Sequence, residues 1–92
     1  MASTVVDFLM SEHRYQEAIE VAQVILRNYP LDGYTLVKLG SAYGELMHVE
    51  IADRFPNLNA LPPALRQQYL WLAEGNRRAF QAVETLGWEP PR

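Results

Sequence analysis

An all-α fold is what this sequence predicts, on three observations. Apolar residues recur at helical spacing through nearly all of its 92 residues. The sustained alternation that a half-buried strand requires is missing. Small and apolar residues also repeat in a register of 34, so that Ala52 arrives 34 positions after Ala18.

The first helix is predicted from about Thr4 to Met10, with Ser3 or Thr4 as its cap and Val5, Phe8 and Leu9 on the buried side. Ser11 to Arg14 is a polar turn. A second helix, from about Tyr15 to Asn28, carries Ala18, Ala22, Ile25 and Tyr29 on one stripe, and Pro30, which has no N–H to donate, stops it. Asp32 is placed to cap a third helix running to about Met47, with Leu36, Leu39, Gly40, Tyr43 and Leu46 on a single face. A glycine inside a helix costs about 1 kcal/mol against alanine, so Gly40 points to a neighbouring helix that must come close. A short fourth helix is predicted from about Val49 to Phe55, where Pro56 ends it.

Residues 56–63, PNLNALPP, hold three prolines and two asparagines and read as an ordered connector anchored by Leu58 and Leu61. Beyond it, Pro63 suits a first helical turn, and Leu65, Tyr69, Leu72, Phe80 and Val83 continue as an apolar stripe over 64–87. Gly75 followed by Asn76 could split this segment into a hairpin. That split would set Glu74 at a helix C-terminus and Arg77 and Arg78 at an N-terminus, all against the helix dipole, which favours one helix to about Leu86. Gly87, Trp88 and the pair Pro90 and Pro91 end it, with Trp88 folding back on the body. The whole chain, 1–92, forms one domain.

The run Ala18, Ala22, Ile25 and Pro30, followed by Leu36, Leu39, Gly40 and Tyr43 as L-x2-L-G-x2-Y, resembles the tetratricopeptide repeat (TPR). The resemblance covers about one and a half repeats over residues 3–55. Leu36 stands where that family usually has tryptophan, Ala22 where it has an aromatic residue and Ile25 where it has alanine. It implies TPR-like antiparallel helical hairpins, a fragment of an α-α superhelix, closed by the C-terminal segment as a cap. It further implies a non-catalytic adaptor or chaperone-like module that holds a peptide or protein in a groove. The family's groove positions fall here on Ser3, Asp7, Tyr34, Val37, Ser41 and Glu45. This set has no lysine, arginine or asparagine, unlike members that grip a chaperone's C-terminal carboxylate. The competing expectation is that Tyr34 and Val37 pack against the C-terminal helix and that Asp7 and Glu45 are solvated. Trp71 lies one position outside the stripe set by Tyr69 and Leu72, where an exposed indole anchors an interface.

Composition narrows the partners. Eight basic against eleven acidic residues leave a net charge of -3, which offers no general attraction to nucleic acid or to an anionic membrane. Arg66, Arg77 and Arg78 with interleaved aromatics could suggest a stacking surface for single strands, but Glu74 and Glu84 oppose it. The absence of cysteine, of a secretion signal and of a run of about 18 apolar residues makes a cytoplasmic protein the expectation. His13 and His48 lack a second ligand at helical spacing, so neither a metal nor another cofactor is expected. The serines lack a nucleophile-elbow context, and no catalytic residues are assigned. A domain of this size buries a modest fraction of its surface, so a homodimer through the C-terminal helix and exposed tryptophans is the alternative expectation.

Overall fold

The computed structural model describes residues 2–55 and 57–89, the side chains of residues 2, 3 and 58 excepted. Four helices follow one another, α1 (Ala2–Ser11), α2 (Tyr15–Asn28), α3 (Gly33–Met47) and α4 (Pro63–Leu86), and no strand occurs among the described residues. The fold is all-α.

α1 starts two residues earlier than predicted, so Ser3 and Thr4 lie within its first turn and do not cap it. Its buried side also differs. Val6 and Leu9 enter the core, whereas Val5 and Phe8 are 49% and 56% exposed. The segment VVDFLM is apolar nearly all round, so spacing alone chooses no face; Asp7 chooses it, by turning toward α3. The turn to α2 is made by His13 in the left-handed region (φ 59°), with Arg14 N–H donating to the Leu9 carbonyl and His13 N–H to that of Met10.

α2 has the predicted bounds and buries Tyr15, Ala18, Ile19, Ala22 and Ile25. Tyr29, expected on the same stripe, follows the last helical turn and is 66% exposed. Asp32 then caps α3, accepting from Thr35 N–H at 3.3 Å and from the Thr35 hydroxyl at 2.9 Å. Leu36, Gly40, Tyr43 and Leu46 are buried and Leu39 partly so.

The separate helix predicted over 49–55 does not form. Nothing between Met47 and Val49 breaks a helix, so α3 runs on into a π turn, His48–Ala52, in which Asp53 N–H donates to the His48 carbonyl at 2.8 Å. The extra residue in that turn carries Ile51 into full burial. The connector follows with a 3₁₀ turn, Leu58–Ala60, and buries Leu61; Pro56 and the Leu58 side chain lie outside the described residues.

α4 is one helix, unbroken at Gly75, with Pro63 at its start and Gly87 (φ 67°) at its end. It returns along α3. Rings fill glycine hollows at three levels: Trp88 over Gly33, Phe80 over Gly40 and Tyr43 over Gly75. Positions rising along α3 meet positions falling along α4, so the two run antiparallel. A Cβ at Gly40 would stand 2.7 Å from the Phe80 ring, which is the close approach the sequence implied. Phe80 itself, expected in the core, keeps 40% of its surface exposed. The core therefore sits where α1, α2 and α4 converge on α3, closed by fully buried Ile19, Ile51 and Leu72.

Candidate functional site

The expected groove residues begin on α1 and α3. Tyr34 Oη donates to Asp7 Oδ2 at 2.8 Å, Lys38 Nζ stands 3.2 Å from Asp7 Oδ1, and the same ammonium lies 5.3 Å from the Tyr34 ring centroid. Asp7 is thus held by a clasp between the two helices and is not a free carboxylate. Tyr34 reaches α1 through its bond to Asp7. Hydrogen bonding to Asp7, aided by burial, pushes the Tyr34 hydroxyl pKa up. Burial pulls the Lys38 ammonium down, but the Asp7 carboxylate outweighs it and leaves the net shift upward. Val37 and Ser41 are half-buried and Glu45 is exposed, one turn apart along the same flank of α3. The Ser3 side chain lies outside the described residues.

Trp71 is placed elsewhere. It stands 53% exposed on the opposite flank of the α3–α4 seam, edge-on to Tyr43 with ring centroids 5.5 Å apart at 81°. There it borders a hollow of about 440 Å³ lined by Leu36, Leu39, Tyr43, Glu74, Gly75, Arg78 and Ala79. None of the other expected groove residues lines it. Helical phase explains the separation, since Leu36, Leu39 and Tyr43 face one side of α3 and Tyr34, Val37, Ser41 and Glu45 the other.

The hollow continues. Leu36 and Arg78 also line a second one of about 380 Å³ with Pro30, Leu31, Gln81, Ala82, Thr85 and Leu86. The two hollows, which meet at Leu36 and Arg78, lie in succession along the seam from Trp71 to Leu86, about 22 Å at 1.5 Å per residue, and are called here the channel. Its floor is held from both sides: Gln23 of α2 donates to Tyr43 Oη at 3.2 Å, and Asn76 of α4 donates to the Gly40 carbonyl at 2.8 Å. Its rim is charged. Arg77 and Arg78 both donate to Glu74, at 2.6 Å and 2.8 Å, and hold its carboxyl down to about 2.

Arg78, which the sequence sets on a stacking surface opposed by Glu74 and Glu84, and Gly75, a candidate break that the helix dipole disfavours, belong to this channel. The signal was present as Trp71, Gly75, Arg78 and Ala82 at i, i+4, i+7 and i+11, a second stripe beside the apolar one. Lys38, four residues after Tyr34, was the findable partner of Asp7. Of the two histidines, His13 bonds the Tyr15 hydroxyl through Nδ1 at 2.7 Å and His48 is exposed at the π turn. Among the described residues no helix is long and apolar enough to cross a membrane.

The fold and its seam define a small all-helical protein with an open apolar channel. No protein-family model, curated protein or solved structure matches the chain.

Proposed function

We propose that this chain is a non-catalytic, cytoplasmic interaction module that holds a peptide or protein partner along the α3–α4 seam. The observation that carries this reading is the channel itself: an apolar floor ending at a half-exposed indole and edged by an arginine whose side chain is 75% exposed. Exposed aromatic anchors beside a desolvated floor are the usual centre of a protein interface. The 34-residue register and the close approach at Gly40 support descent from a TPR-like hairpin, with α4 as the helix that covers α3. Neither nucleic acid nor a membrane suits an acidic surface of this kind.

Capture from native lysate on wild-type protein and on a Trp71→Ala, Arg78→Glu double variant tests the reading. A partner retained by the first and lost by the second supports it. Equal retention on both, or a metal or nucleotide that raises the melting temperature while no protein is retained, overturns it.

Self-association is the second reading, favoured by Leu70 and Trp71, which stand side by side on α4 at 59% and 53% exposed. A symmetric homodimer would pair these faces. Trp88 is not available for that pairing, because it packs on Gly33.

A further inference from the structure

We infer that the partner of the seam is a second copy of this chain, which docks the outer stripe of its α1 into the channel. The inference rests on the seam being a partner site. Val5, Phe8 and Glu12 fall at i, i+3 and i+7, and all three are exposed. Val6 and Leu9 of the same helix face the core and Asp7 faces α3, so this stripe points away from the body. It is a convex apolar ridge ending in a carboxylate.

The channel is its concave counterpart. Trp71, Gly75 and Arg78 lie at i, i+4 and i+7, about 10.5 Å along α4. Val5 to Glu12 spans a like distance, because Glu12, the residue after α1, still donates its N–H to the Phe8 carbonyl at 3.0 Å. Val5 set beside Trp71 therefore brings Phe8 over the hollow at Tyr43 and Gly75 and Glu12 to Arg78. Charge complements at that end. Arg78 spends Nε on Glu74, and among the described residues its terminal nitrogens donate to nothing. Glu12 enters no ion pair of the described residues, and its neighbour Arg14 is already paired with Glu17. A planar guanidinium with free donors takes a carboxylate through two hydrogen bonds. Because ridge and channel are different surfaces of one chain, the contact is heterologous and propagates head to tail.

Two variants and their mixture test this. Phe8→Asp removes the ridge and leaves the channel; Arg78→Glu reverses the channel's charge and leaves the ridge. Both positions are exposed, so the fold has little to lose from either change. Light scattering over a concentration series to about 1 mM should show the wild-type mass rising with concentration, and each variant alone should associate about tenfold or more weakly. Mixed, the variants should form a one-to-one dimer, since each keeps the surface the other lacks. A wild type that stays monomeric overturns the inference, as does a Phe8→Asp protein that associates like wild type, or a mixture that stays monomeric. A monomer that still captures a Trp71- and Arg78-dependent partner overturns this inference alone and leaves the proposed function standing.

Discussion

Asp32 serves two groups at the start of α3, the backbone N–H of Thr35 and its fully buried hydroxyl. Asp32→Ala therefore removes a cap and leaves a buried polar atom without its partner. The expected loss is about 1–2 kcal/mol, read by urea denaturation. Gly75 shows the opposite constraint. A methyl there gains helix propensity of about 1 kcal/mol but would stand 2.7 Å from the Tyr43 ring, which Gln23 and Trp71 hold in place. Overpacking of this kind costs about 1–3 kcal/mol, so Gly75→Ala should lower the denaturation midpoint despite the better helix former. Thr35 looks unremarkable in the sequence and Gly75 reads there only as a candidate break, because what constrains both comes from residues packed against them.

At the scale of the element, α2 and α3 were legible to within a residue. Each has a stop or cap that spacing alone reveals: Pro30 ends one and Asp32 begins the other. α1 and the segment 48–55 were not. α1 offers two apolar pairs one position apart, and only the long-range contact of Asp7 with Lys38 and Tyr34 decides between them. The π turn arises because no breaker follows Met47 while Ile51 is drawn inward, a tertiary demand that periodicity does not encode. The site divided in the same way. Trp71 stood out by its phase, but the seam beneath it depends on how α4 lies across α3, some 30 residues away in sequence.

The clasp and the ion triad also set the pH range of the elements they join. Tyr34 and Lys38 titrate higher in the folded chain than their usual 10.0 and 10.5, so their contribution is complete below pH 10 and fades as pH rises through the folded values. Glu74 titrates at about 2 against a usual 4.5, so its contribution is complete above pH 4.5 and fades between there and pH 2. Both clusters are partly solvated, which keeps the slopes shallow. Thermal midpoints should be flat from about pH 5 to 10 and fall on either side. Tyr34→Phe should flatten the alkaline limb, and Arg77→Gln with Arg78→Gln the acid one.

For the whole molecule, α3 is the member that every other helix touches, and Leu72 is the fully buried side chain by which α4 joins the common core. Its truncation leaves a cavity between elements far apart in sequence. Leu72→Ala should cost about 2–5 kcal/mol, a large share of the 5–15 kcal/mol typical of a domain. If the core is continuous, urea transitions followed by circular dichroism and by near-ultraviolet absorbance should coincide in this variant as in wild type. Transitions that separate would mean that α4 melts off a hairpin that persists without it.

The two indoles sit well apart along α4, Trp71 half-exposed in its third turn and Trp88 seated on Gly33 just past its last. Nature has thus installed a pair of optical probes in different dielectric surroundings. In a Trp88→Phe protein the remaining tryptophan emission comes from the channel mouth alone. A blue shift and protection from acrylamide quenching would then report an arriving guest directly, without any attached dye.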